Sequence, residues 1–138
     1  MRTNAIIIYI MAAVFFMAKP AVAQTGPKIH FEQFIIEYGE VDYASDGERL
    51  WTFKNVGTEP LMITAAKGSC GCTVAKYPKS AIMPGKEGVV KIKYDTKRVG
   101  VISKTISITT NEPDDHNFHV IKIMGKVKAD PNAKPRGK

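Results

Sequence analysis

The sequence predicts an all-β fold, an antiparallel sandwich of about seven strands built as one domain. Three observations predict it. Apolar and polar residues alternate one by one, the period of a half-buried strand. Turn residues cut that alternation about every ten residues, as at Asp46-Gly47, Asn55-Val56-Gly57, Pro84-Gly85 and positions 111–115. After the first 23 residues, no apolar repeat of helical period persists. A closed barrel would use the same alternation and ranks second.

The expected strands follow in order. Residues 29–37 carry Phe31, Phe34, Ile35 and Ile36 and stop at Tyr38-Gly39. Over 49–56, Trp51 and Phe53 share one face and Thr52 and Lys54 the other. The run 60–66 begins with Pro60, which suits the first residue of a strand, and puts Leu61 and Ile63 on one side. A short apolar piece at 73–75 lies inside the stretch 68–84, which ends at the Pro84-Gly85 turn. In 88–94, Val90, Ile92 and Tyr94 align, while Lys91 and Lys93 point the other way. Run 101–110 aligns Ile106 with Ile108, and 118–127 aligns Ile121, Ile123, Gly125 and Val127. Stacked face to face, two such sheets enclose a core about 10 Å thick.

The flanks read differently. Arg2, an apolar run over 5–18, Lys19-Pro20 and then Ala21-Val22-Ala23 have the order of a secretory signal peptide, residues 1–23, with cleavage after Ala23. The apolar run has 14 residues, short of the roughly 20 that span a bilayer. Cleavage would leave no membrane-spanning segment, and no cysteine stands at the cleavage point to carry a lipid. The domain is expected over 24–128, and 129–138, with two prolines and no large apolar residue, as a disordered basic tail.

Charge excludes little. Without Arg2 and Lys19, 18 basic side chains face 13 acidic ones, a net of +5. Most lysines alternate with apolar residues inside the strands and read as a solvated sheet face. An exported chain meets little nucleic acid, so that partner is not expected. No Ser/His/Asp order, phosphate-cradling glycine loop or metal-binding helix motif is present. The chain is therefore read as non-enzymatic, with no cofactor and no metal site.

One motif stands apart. Cys70 and Cys72, the only cysteines, flank Gly71 within Gly68-Ser69-Cys70-Gly71-Cys72-Thr73. Four readings stay open. A local disulfide suits an oxidising compartment, provided Gly71 bends the chain. Two free thiols serving as small core residues suit a regular strand. A redox couple is the third, though no helix N-terminus is at hand to favour a thiolate. A soft metal site is the fourth, with His116, His119, Met62 and Met83 as candidate further ligands. His116 and His119 otherwise read as solvated turn residues, and Asp114-Asp115 as turn chemistry.

The stretch 53–61 (Phe-Lys-Asn-Val-Gly-Thr-Glu-Pro-Leu), the Gly-Ser-Cys-Gly-Cys-Thr motif at 68–73 and Ile-Met-Pro-Gly-Lys-Glu-Gly at 82–88 resemble the bacterial domain of unknown function 1573. Tyr94-Asp95-Thr96, Gly100 and Thr110-Asn111 extend the likeness, which covers residues 31–127. The resemblance implies a single immunoglobulin-like antiparallel β-sandwich, similar to major-sperm-protein and cilium-associated domains, in an exported bacterial protein. It implies no catalytic residue. The expected function is an exported binding or structural module of the cell envelope, periplasmic or beyond, pairing an envelope protein with a sheet edge. The alternative is a small thiol-redox or soft-metal protein that uses Cys70 and Cys72.

Overall fold

The computed structural model describes residues 25–113 and 115–133. The expected signal peptide lies outside them, and the expected tail is described only as far as Ala133, where residues 130–133 make an exposed turn. Eight strands and no helix are found among the described residues: β1 (Ile29–Phe31), β2 (Ile35–Val41), β3 (Glu48–Asn55), β4 (Ile63–Gly68), β5 (Thr73–Lys76), β6 (Glu87–Tyr94), β7 (Gly100–Thr110) and β8 (Phe118–Val127).

They form two four-stranded sheets, ordered β1-β3-β6-β5 and β2-β8-β7-β4. The fold is therefore a sandwich and not a closed barrel. Two details differ from the sequence reading. The expected strand 29–37 is two strands, because the chain leaves the first sheet after Phe31 and joins the second at Ile35. Trp51 holds this switch by donating its indole N–H to the carbonyl of Gln33, 3.1 Å away. The alternation lapses at this jump, with Glu32-Gln33 both polar and Phe34-Ile35-Ile36 all apolar, and the buried phase moves from Ile29 and Phe31 to Ile36 and Tyr38; reading 29–37 as one strand passes over that lapse. In consequence β2 runs parallel to β8, and the second sheet is mixed rather than wholly antiparallel. The other correction is the run 60–66. Leu61 makes only an isolated bridge with Ile82, and the ladder begins at Ile63.

Side-chain phase follows the expectation closely. Trp51, Phe53, Val90, Ile92, Tyr94, Ile106, Ile108, Ile121, Ile123 and Val127 are all buried between the sheets. Each large apolar side chain taken fully from water contributes about 1.5–3 kcal/mol. Lys54, Lys91 and Lys93 stand exposed on the outer face of the first sheet. Gly88 leaves the space that the Phe53 ring fills; a Cβ there would run into it.

Candidate functional site

The cysteines lie in the loop that carries the chain from β4 in the second sheet to β5 in the first. The β4–β7 ladder extends into this loop. Ser69 donates its N–H to the carbonyl of Thr105 (2.9 Å), and the Thr105 N–H is donated to Ser69 Oγ (3.2 Å). The Thr73 N–H then closes a turn on the Cys70 carbonyl (3.2 Å), and the Asp95 N–H reaches the Cys72 carbonyl (2.9 Å). Gly68 is required here, since a Cβ would collide with the carbonyl oxygen of Thr73. Gly71 is not held in the same way. Its Cβ position is open space and its φ is not positive, so the bend between the cysteines is one that other residues can make.

Cys70 and Cys72 are joined as a disulfide, with Cα atoms 5.2 Å apart. Their surroundings are unequal. Cys72 is 3 % exposed and belongs to the core, whereas Cys70 is half-buried at its margin. The Cys72 N–H points at Cys70 Sγ, 3.3 Å away. Thr73, itself 4 % exposed, sets its hydroxyl 3.8 Å from Cys70 Sγ and 3.7 Å from Cys72 Sγ.

The further ligands considered for a metal site are not brought to this loop. Met62 lies beside Asn111, whose N–H bonds its carbonyl. Along β7 that is six residues from Thr105, a distance of roughly 20 Å at about 3.4 Å per residue. His116 is an exposed turn residue paired with Asp115 at 2.8 Å. This hydrogen bond holds the Asp115 carboxyl below its usual range. Among the described residues, no group of three or more His, Cys, Asp or Glu side chains is placed to hold a metal ion.

His119 is not a solvated turn residue. It sits inside β8 on the inward phase, edge-on to Phe31 with ring centres 5.3 Å apart. Its Nε2 lies 2.7 Å from Oε2 of Glu112, a buried carboxylate. The Thr110 hydroxyl also donates to Oε2 (2.7 Å), and the Ile29 N–H donates to Oε1 (3.1 Å). This cluster ties the start of β1 to the far end of β7 and β8. Asn55 makes a second buried tie nearby. Its side-chain N–H groups bond the carbonyls of Glu59 and Ile82, both at 2.8 Å, and its Oδ1 accepts the Gly57 N–H at 2.9 Å. Sequence reasoning read Asn55 and Glu112 as turn residues. Phase held the missing signal, because Asn55 continues Trp51 and Phe53, and His119 precedes Ile121 and Ile123.

A third feature is an open groove of about 650 Å³ at the strand switch, lined by residues 33–37, Leu50 and Trp51. Three of its apolar members face solvent, Phe34 at 56 %, Ile35 at 46 % and Leu50 at 64 % exposed, while Ile36 and Trp51 are buried beneath. No helix among the described residues is long and apolar enough to cross a membrane.

The family model for the protein of unknown function DUF1573 matches residues 29–127. No curated protein sequence matches the chain. Among solved structures, a protein of unknown function from Porphyromonas gingivalis is similar with a TM-score of 0.65 at 21 % identity, over 79 % of this chain and 51 % of that one. The VesB protease of Vibrio cholerae is similar over 71 % of this chain but 31 % of its own, with a TM-score of 0.59 at 12 % identity. The ASH/PapD-like domain 7 of human CEP192 gives a TM-score of 0.55 at 14 % identity, over 83 % of this chain and 95 % of that one. The chain thus spans about half the length of the first and under a third of the second. At these identities the likeness concerns the fold alone, an immunoglobulin-like β-sandwich.

Proposed function

The chain belongs to the DUF1573 family, and because that family has no described activity, we propose from its own surface that it is an exported, non-enzymatic module of the cell envelope that binds an extended segment of another protein along β2. The groove beside an open strand edge carries this reading. Of the four edge strands, β2 is the longest, at seven residues, against three, four and six for β1, β5 and β4. The β4 edge is partly covered, since Tyr77 donates its hydroxyl to the Thr64 carbonyl (3.0 Å).

An added strand gains affinity from main-chain hydrogen bonds and selectivity from pockets for alternate side chains. The groove at the start of β2 supplies such a pocket, with Glu37 on its wall. The segment that fits it is extended and apolar at one position, with a basic neighbour. Export is supported by the order of charge, apolar run and small residues over 1–23.

Two measurements test the reading. Extended peptides of the form Lys-apolar-Lys are titrated against isotope-labelled protein. Amide shifts should concentrate at residues 33–37, 50 and 51, and Leu50→Asp should weaken binding at least tenfold, about 1.4 kcal/mol. Shifts elsewhere, or unchanged binding in Leu50→Asp, would overturn the edge site. N-terminal sequencing of the expressed full chain should begin at Gln24 in the envelope fraction; an intact N-terminus in the cytosol removes export.

A further inference from the structure

We propose that the Cys70–Cys72 bridge is a thiol–disulfide exchange site which passes its disulfide to a reduced cysteine pair on another polypeptide, Cys70 receiving the attack and Cys72 leaving first. This goes beyond the edge-binding reading and does not depend on it.

Four observations carry the inference. The first is access. An attacking thiolate must approach a sulfur in line with the bond it breaks, and Cys70 is half-buried at the core margin while Cys72 is inside it. The second is what surrounds the sulfurs. The Cys72 N–H already points at Cys70 Sγ, and one hydroxyl, that of Thr73, reaches both sulfurs. These donors gain strength when a sulfur becomes a thiolate, because a hydrogen bond to an ionised acceptor is about twice as strong as a neutral one. They stabilise the reduced state, and a pair whose reduced form is stabilised gives up its disulfide readily.

The third is charge. Lys104 directly precedes Thr105, whose hydrogen bonds with Ser69 set that part of β7 against the cysteine loop. The nearby carboxylate of Asp95 is turned toward Arg98 at 3.6 Å. The fourth is that the loop does not need the bridge for its shape. Backbone hydrogen bonds from Ser69, Thr73 and Asp95 already fix it. Closing so small a ring constrains the unfolded chain by only about 1.5 kcal/mol. Oxidised and reduced forms can therefore share one fold.

The chemistry balances in two steps. A substrate thiol, having lost its proton, attacks Cys70 Sγ; a substrate–Cys70 disulfide forms, the Cys70–Cys72 bond breaks, and Cys72 Sγ takes the electron pair and a proton from water. The second substrate thiol then loses its proton and attacks the substrate sulfur of that mixed disulfide. The substrate disulfide forms, and the electron pair goes to Cys70 Sγ beside the Cys72 N–H and the Thr73 hydroxyl. The substrate dithiol is oxidised by two electrons and the protein disulfide is reduced by two. One chain oxidises one dithiol, so the step is stoichiometric.

The test uses the oxidised full chain and a reduced peptide with two cysteines, quenched with acid and analysed by mass. One equivalent of peptide disulfide should appear with one equivalent of reduced protein; a peptide left reduced beside an intact protein disulfide overturns the proposal. Roles are read from Cys72→Ser and Cys70→Ser. Cys70 in the first should form a mixed disulfide with an aromatic disulfide reagent at least tenfold faster than Cys72 in the second, and equal rates overturn the assignment. Where either variant fails to fold, the reduced wild-type chain is pulse-labelled with half an equivalent of iodoacetamide. Label mainly on Cys70 supports the roles, and label equal or greater on Cys72 overturns them. Thr73→Val should move the pH midpoint of Cys70 alkylation upward while Thr73→Ser leaves it in place. A role confined to packing would move neither.

Discussion

The two ends of the sandwich manage polar groups in opposite ways. At the end that holds the β7–β8 turn, Asn55 and Glu112 are buried and each is met by several partners, Asn55 from the loops around residues 57–59 and 82 and Glu112 from β1, β7 and β8. At the other end the β4–β5 loop leaves one sulfur of a close pair at the margin and aims an N–H and a hydroxyl at it. Buried polar groups with full sets of partners specify a unique packing and are expensive to disturb. Groups at a core margin with soft, partial contacts are free to change state. The contrast separates anchoring from chemistry, and substitutions at each end should differ in kind.

The largest effect is expected at Asn55. Asn55→Ala removes three hydrogen bonds to the partly buried backbone of Gly57, Glu59 and Ile82 at once and empties a fully buried side-chain site, and should cost about 4 kcal/mol in denaturant unfolding. A loss below about 1 kcal/mol would mean water replaces the side chain and the anchor is not there. Next comes Glu112→Leu, which leaves the Ile29 N–H, the Thr110 hydroxyl and His119 without their acceptor. About 3 kcal/mol is expected, with Glu112→Gln recovering most of it.

A pH scan sharpens the comparison, because the loop end has one buried anchor of its own. Tyr38 donates its hydroxyl to the Gly47 carbonyl at 2.9 Å. Burial pushes its phenol from 10.0 up to about 12, against the opposing pull of Arg49. The neutral form is thus the one the fold prefers. Its contribution is complete below pH 10 and is lost as pH rises through 12. Thermal unfolding should show a falling midpoint across that window, and Tyr38→Phe should flatten the fall.

Smaller effects belong to the cysteine loop. Opening the bridge by reduction, with both thiols kept, should cost about 1.5 kcal/mol and leave the circular-dichroism spectrum unchanged. A loss of 4 kcal/mol or more would make the bridge an anchor and erase the contrast between the ends. Least of all, Gly71→Ala should change stability by under about 0.5 kcal/mol, since its Cβ meets open space. Gly68→Ala, two positions before Cys70, should be far worse because of the Thr73 carbonyl.

Alternation by itself determined that this chain makes half-buried strands, which faces they bury and where most of them turn. That information is local, since successive side chains on a strand point opposite ways whatever the strand pairs with. It placed Trp51, Phe53, Ile92 and Ile123 correctly, and it marked Cys70 and Cys72 as the chemically unusual pair. Only the tertiary structure decided which sheet each strand joins, that the chain changes sheets between Phe31 and Ile35, and that β2 lies parallel to β8. Pairing partners are distant in sequence, and alternation, even where it lapses as over residues 32–36, does not say which sheet a strand joins. The same reason hid the roles of Glu112 and His119, which meet each other and β1 across the fold, the tie from Asn55 to the loop at Ile82, and the inequality of the two sulfurs, which depends on what the fold stacks over each.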